Sequence, residues 1–214
     1  MNKLTLSNQP KNMKTIYKGG VVRIESQGPA AVLQYAIQEV QEPRGHEILI
    51  SQKAIAINFV DIMYRNGTFP ISSFPATIGG EAAGIVENVG SEVTAFKEGD
   101  RVAYYNALGS YAEQRLVRTE DLVKLPDDIS YDQAASILAK GLTARMLIRQ
   151  IYPVKPGDII LVHAAAGGVG SLLSKWAKAL GATVIGTVGT EAKRAIASDN
   201  GVDHVIVMET QDLE

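Results

Sequence analysis

The chain contains no cysteine, which removes disulfides, thiol nucleophiles and thiolate metal ligands together. It has only three histidines, His46, His163 and His204, spread far apart in sequence, a pattern that does not suit a zinc site. No charge of either sign is in excess, since 21 Lys and Arg stand against 23 Asp and Glu. The basic footprint of a nucleic-acid-binding surface is therefore missing. No run approaches the ~20 apolar residues of a membrane helix, and the lysine-bearing start has no apolar stretch of signal-peptide length. Together these absences lead to the expectation of a soluble, cytoplasmic protein with neither a membrane nor a nucleic acid as partner. Its 214 residues suffice for one large domain or two small ones.

What the chain does have is a glycine turn at His163-Ala164-Ala165-Ala166-Gly167-Gly168-Val169-Gly170, after the apolar run Ile159-Ile160-Leu161-Val162 and before Ser171-Leu172-Leu173. The order strand, turn, helix suits a dinucleotide. The first N–H groups of a helix have no internal partner, and the positive end of its dipole favours a pyrophosphate. In the G-x-G-x-x-G register the first position is Ala165, while Gly167 and Gly170 keep the second and third. A glycine turn can also do no more than join a strand to a helix, and the turn alone does not separate the two readings.

Along the chain, residues 1–20 are polar and without sustained period, which predicts a loose extension. Short β-type segments follow around Val21–Ile24, Leu33–Ile37 and Glu47–Ser51, with His46 in the turn Pro43-Arg44-Gly45-His46 as an exposed polar residue. The apolar run Ala54–Ile57 leads into Asn58 and Asp61, either as helix caps or as polar groups at the edge of a cleft. A short helix is expected over Ile62–Arg65, ended by Gly67. Gly79, Gly80 and Gly84 imply backbone crowding or positive φ, as at bends of a small closed sheet.

After Pro126 the pattern becomes helical: Ser130 with Gln133 reads as an N-cap pair, and a second helix is expected over Leu142–Ile151. The helix after the glycine turn carries Leu172, Leu173, Trp176 and Leu180 on one stripe, which makes Trp176 core rather than a stacking platform. Two more strands, Thr183–Val188 and His204–Met208, complete a βαβαβ order and hence an α/β fold with a parallel, doubly wound sheet.

Enzymes that select NAD place an acid about 20 residues beyond the glycine turn. This chain has Thr187-Val188-Gly189-Thr190 there, followed by Lys193 and Arg194. Hydroxyl, amide and cationic donors suit a 2′-phosphate and point to NADP(H). The same two cations can equally be the solvated face of a helix.

Six segments in order are more specific than any one of them: Asn58-Phe59-Val60-Asp61, Arg65-Asn66-Gly67, Gly79-Gly80-Glu81-Ala82-Ala83-Gly84, Gly99-Asp100-Arg101-Val102, Lys140-Gly141-Leu142-Thr143 and Ala164–Gly170. With them the chain resembles the zinc-independent quinone oxidoreductases of the medium-chain dehydrogenase/reductase superfamily, the zeta-crystallin-like group. The resemblance implies a GroES-like, β-rich catalytic domain over residues 21–138 and, over 139–214, the first half of a Rossmann domain. It also implies NADPH-dependent reduction of a quinone or related enone, and a homodimer when full length.

Carried over by position, Asn58 and Asp61 would lie by the nicotinamide end as the catalytic pair, and Leu142 and Thr143 near its ring and ribose. Ala166, Gly167, Gly168, Val169 and Gly170 would face the pyrophosphate, and Gly189, Thr190 and Lys193 would hold the adenosine phosphate. Zinc enzymes of the superfamily use a Cys and a His-Glu pair as ligands, whereas here Gly80 precedes Glu81 and cysteine is absent, which excludes that branch.

The chain departs from the resemblance at Phe69 and Met208, where family members often carry tyrosine. It departs also in length, because relatives continue into a second mononucleotide half and a return segment. The expectation is a C-terminally truncated chain whose strand Ile159–Val162 keeps a bare edge. An alternative reading is a non-catalytic, crystallin-like cofactor-binding protein.

Overall fold

The chain builds β1 (Thr15–Ile24), β2 (Gln34–Gln41), β3 (Glu47–Ile55), helix α1 (Phe59–Asn66), β4 (Ala76–Thr77), β5 (Glu81–Val89), β6 (Arg101–Tyr105), β7 (Gln114–Arg118) and β8 (Leu122–Lys124) before its helical part begins. These elements come from a computed structural model that describes residues 15–211. The chain divides into two units, between Ser136 and Ile137.

In the first unit, five antiparallel strands in the order β7-β3-β5-β6-β8 form one sheet and β2-β1-β4 a second. Ile48 and Ile50 of the inner strand β3 pack with Val86, Val102 and Tyr104 as the core, each large apolar side chain contributing roughly 1.5–3 kcal/mol by burial. Gly84 allows β5 its distance from β3, because a Cβ there would sit 2.2 Å from the Ser51 carbonyl oxygen.

Strand β1 begins at Thr15, so residues 15–20 belong to a paired strand rather than to the loose extension expected from sequence; residues 1–14 lie outside the described part. The Gly19-Gly20 pair concealed this strand, since glycine weakens strands. Here the glycines are covered by aromatic rings: a Cβ on Gly20 would lie 2.4 Å from the Tyr35 hydroxyl, and one on Gly19 would lie 2.5 Å from the Tyr17 ring. Such covering restores the packing that glycine lacks.

Helix α2 (Tyr131–Arg145) starts on the expected capping box: Ser130 N–H donates to Gln133 Oε1 (2.8 Å) and Gln133 N–H to Ser130 Oγ (3.1 Å). It then passes straight through Gly141 into a π-helical stretch, Met146–Ile151, so the two helices expected from sequence are one. A glycine inside a helix costs only about 1 kcal/mol relative to alanine, too little to break the run.

The second unit continues with β9 (Ile159–Val162), α3 (Gly168–Ala179), β10 (Thr183–Val188), α4 (Arg194–Asp199) and β11 (His204–Val207). The strands are parallel, as the βαβαβ reading requires, and run in the order β11-β10-β9. Val162, Ala165, Ala177, Val184 and Val207 form the core, with Trp176 packed against it. The two edges of this sheet differ. Along β11, Arg194 donates to the Val205 carbonyl (3.1 Å) and Val207 N–H donates to Gln211 Oε1 (2.9 Å). On the other side β9 is the outer strand among the described residues, and on one of its faces Ile159 is 71% and Leu161 51% exposed.

Candidate functional site

The polar cluster of the first unit forms where β3 gives way to α1. Asn58 is the N-cap of α1 in extended backbone, and its N–H donates to the Asp61 carboxylate (Oδ2, 2.8 Å), the N-cap and N3 arrangement of a capping box. Gly67, at φ 93°, ends the helix. The Asn58 amide donates from Nδ2 to Glu81 Oε2 at 2.7 Å. Glu81 is fully buried and Asp61 nearly so. A third partner arrives from the loop between β6 and β7, where the Tyr111 hydroxyl donates to Asp61 Oδ2 at 2.9 Å. Burial, and then the hydrogen bond to Asp61, push the Tyr111 phenol well above its ordinary value, so it stays protonated and serves as a hydrogen-bond donor.

That loop is itself tied down. The buried Tyr104 hydroxyl bonds Gln52 Oε1, and the Gln52 amide donates to the carbonyls of Ser110 (2.9 Å) and Ala112. Beside Tyr111, a pocket of about 390 Å³ is lined by Val21, Tyr35, Ile55 and Ile57. Phe69 packs tilted against Tyr64 at 5.5 Å, and Gln27 holds the Tyr64 and Phe69 carbonyls at 2.8 and 2.7 Å. The position where relatives often carry a phenol is thus a ring without a hydroxyl.

In the second unit, Gly167 is the N-cap of α3 and Ser171 N–H donates to its carbonyl at 2.9 Å. The N–H groups of Gly168, Val169 and Gly170 precede that first bond and have no acceptor within the helix. Ala164 takes a left-handed φ of 50° and closes the turn by accepting from Gly167 N–H at 2.8 Å. A Cβ on Gly170 would lie 2.3 Å from the Ala164 carbonyl oxygen, so this glycine is required for the close approach of helix to turn. The aliphatic stem of Lys140 lies 2.9 Å from where a Gly168 Cβ would be. The turn borders a pocket of about 430 Å³ that also includes Leu147, Leu161 and His163. His163 Nδ1 is 3.2 Å from Thr187 Oγ1, and Ala165 N–H donates to the Thr187 carbonyl at 2.9 Å; these contacts seat the turn on β10.

At the end of β10, Gly189, Thr190 and Lys193 are all exposed, and Lys193 has no ion-pair partner among the described residues. Arg194 is committed elsewhere. Its Nε reaches Glu191 Oε1 at 2.5 Å, and Nη1 reaches the Val205 carbonyl. Of the two cations that the sequence offered to a 2′-phosphate, one is already neutralised. Met208 is held by its N–H on the Val188 carbonyl (2.9 Å) and is 46% exposed.

Within the units, Asn58 meets Asp61, Ala166 to Gly170 share one turn, and Gly189, Thr190 and Lys193 share one strand end. Leu142 and Thr143 fall on α2, Leu142 half-exposed and Thr143 bonding back to the Ala139 carbonyl at 2.8 Å. Sequence reasoning missed Tyr111 and the stem of Lys140. The Gly-Ser-Tyr segment before β7 was a weak signal for the first, and Lys140 stood in a quoted motif without a role.

Residues 44–127 match the alcohol dehydrogenase GroES-like domain family and residues 168–214 the zinc-binding dehydrogenase family. A quinone oxidoreductase of Pseudomonas aeruginosa is 46% identical over 181 residues, 84% of this chain and 56% of the relative. A 2-haloacrylate reductase from Burkholderia is 42% identical over 180 residues, 81% of this chain and 54% of the relative. The solved structure of Escherichia coli quinone oxidoreductase complexed with NADPH superposes with a TM-score of 0.88 at 44% identity, covering 91% of this chain and 60% of that one. The chain therefore spans a little over half the length of the relatives it matches. No helix among the described residues is long and apolar enough to cross a membrane. In sequence and in fold, the chain is similar to the quinone oxidoreductases of the medium-chain dehydrogenase/reductase superfamily over a little more than half of their length.

Proposed function

We propose that the chain carries the cofactor cradle and the acceptor-side polar cluster of a cytoplasmic NADPH-dependent quinone oxidoreductase that works without zinc. The observation that carries this reading is the N-terminus of α3. Three amides without helical acceptors, Gly168 to Gly170, stand behind a turn in which Gly167 and Gly168 have no Cβ, a fit for a pyrophosphate. Lys193 and the exposed Gly189 and Thr190 suit a 2′-phosphate, and no acid of β10 competes for it. The Escherichia coli enzyme, at 44% identity, is complexed with NADPH.

NADPH, when bound, supplies the hydride, and the protein supplies orientation and a shielded surface. Asn58, held at its N–H by Asp61 and at Nδ2 by Glu81, presents a fixed carboxamide, which the resemblance assigns to the nicotinamide end, as it assigns Leu142 and Thr143 to the ring and ribose. A quinol oxygen can be protonated from solvent, so the reading requires no protein general acid. Zinc independence rests on the absence of cysteine and on Gly80 where zinc relatives place histidine. The haloacrylate-reducing relative widens the acceptor class to activated double bonds.

The test is NADPH and NADH titration followed by cofactor oxidation with a panel of quinones and enones. Tight NADPH binding with acceptor-dependent oxidation is the expected result. Binding without turnover favours the non-catalytic alternative, and absence of NADPH binding sinks the proposal.

A further inference from the structure

Two donors of the first unit, one local and one from a distant loop, converge on one carboxylate oxygen. Asp61 Oδ2 accepts from Asn58 N–H at 2.8 Å and from the Tyr111 hydroxyl at 2.9 Å, while Asp61 Oδ1 is buried without a partner. A buried carboxylate is costly unless hydrogen-bonded, so these two donors carry most of what keeps Asp61 where it is. Tyr111 is delivered to this point by specific backbone arrangements. Gly79 adopts φ 87°, and a Cβ on it would lie 2.2 Å from the Tyr111 ring and 2.4 Å from Ser110 Oγ. Tyr111 N–H donates to the Ile78 carbonyl at 2.9 Å, and Val22 N–H to the Tyr111 carbonyl at 2.8 Å. Tyr111 is thus fixed by two different segments, residues 78–79 and strand β1, before its hydroxyl meets Asp61.

The far side of the same chain of bonds is Asn58, whose carboxamide is turned by buried Glu81. Fixing the amide needs both ends: Glu81 sets its rotation, and Asp61 sets the backbone from which it projects. Asp61 is in turn set by Tyr111. We infer that Tyr111 is a positioning residue, which holds Asp61 and through it the Asn58 carboxamide in the orientation that the acceptor side of the site requires. The inference rests on the reading of Asn58 as an acceptor-side residue. Tyr111 itself contacts Asp61 and acts only through it.

The test is Tyr111→Phe in the 214-residue chain, which keeps the ring and removes only the hydroxyl, with Tyr152→Phe as the control. The first readout is nuclear magnetic resonance without turnover. Exchange of the Asn58 backbone amide is expected to rise about tenfold or more while the β5 and β6 amides keep their protection, and the Asn58 side-chain amide signals are expected to shift. The second readout is kinetic. With NADPH and a quinone, kcat is expected to fall about ten- to a hundredfold with the NADPH KM within about twofold of its original value.

An unmoved Asn58, or an unchanged kcat in a chain that turns over, overturns the positioning role. If the unsubstituted chain does not turn over, the functional reading fails and resonance alone decides the role of Tyr111. If Tyr111→Phe does not fold, the chain grown with 3-fluorotyrosine, a stronger donor of nearly the same shape, takes its place. A shifted Asn58 amide then supports the role and an unmoved one overturns it.

Discussion

The Arg194 guanidinium closes on the Glu191 carboxylate, Nε to Oε1 at 2.5 Å and Nη2 to Oε2 at 3.2 Å, at the head of α4. The pair raises the basicity of Arg194 and holds the Glu191 carboxyl below its usual range. Cofactor selection at this corner accordingly falls to Lys193. Lys193→Glu should weaken NADPH binding about tenfold or more while NADH changes by no more than about twofold. Glu191→Gln should release Arg194 and tighten NADPH, with an effect that fades as salt is added. Fluorescence titration of both cofactors at two ionic strengths checks the pair, and equal losses for the two cofactors in Lys193→Glu would remove Lys193 from the 2′-phosphate site.

Gly170 and Gly189 make a matched pair of substitutions. A Cβ at Gly170 would lie 2.3 Å from a backbone oxygen that has no freedom to retreat, whereas one at Gly189 meets nothing within 4 Å. Gly170→Ala should destabilise the second unit by about 1–3 kcal/mol and loosen NADPH through displacement of the α3 amides. Gly189→Ala should leave stability within about 0.5 kcal/mol. Urea unfolding of both variants decides it, and a Gly170→Ala chain as stable as the original would contradict the close approach.

The contrast between these glycines shows which parts of the fold could be read in advance. The α2 capping box, the turn after β9 and the order β11-β10-β9 are set by neighbours a few residues apart or by strict periodicity, and all three were legible in Ser130-Gln133, Ala164–Gly170 and the apolar runs. Tyr111 and Asp61 are 50 residues apart, and the loop that carries Tyr111 has no period that could announce the bond. Gly19 and Gly20 likewise read as a break until the rings of Tyr17 and Tyr35 are seen over them. In each case the deciding contact comes from a segment that the local sequence does not specify.

Asp203 is one route by which acid should destabilise the second unit. This carboxylate accepts from Lys178 Nζ and from Val184 N–H at 2.8 Å, and the lysine, then the backbone donor, depress its pKa. A depressed carboxylate contributes stability that is complete above its unfolded value of 3.8 and is lost as pH falls through the lower folded value. Asp203→Asn should therefore be less stable than the original chain at neutral pH and lose less on acidification. Urea midpoints measured from pH 6 down to about pH 3 test this, and parallel curves would exclude Asp203 as a source of acid sensitivity.

At the alkaline end the sign reverses. Burial pushes the Tyr104 phenol up to about 12, and burial with the Asp61 bond pushes Tyr111 higher still. An acid whose folded pKa is raised contributes stability that is full below its unfolded value of 10 and is lost as pH climbs through the folded value. Tyr104 and Tyr111 should ionise late, together with unfolding. In phenolate absorbance, Tyr111→Phe should remove one of these two late phenolates. Because the variant strips Asp61 of a donor without adding a charge, its stability at neutral pH should fall by about 1–3 kcal/mol. Its loss of stability above pH 10 should at the same time become shallower, since one raised phenol no longer titrates. A Tyr111→Phe chain that keeps both the neutral-pH stability and the alkaline slope of the original would show that the Tyr111 hydroxyl carries no weight in the cluster around Asp61.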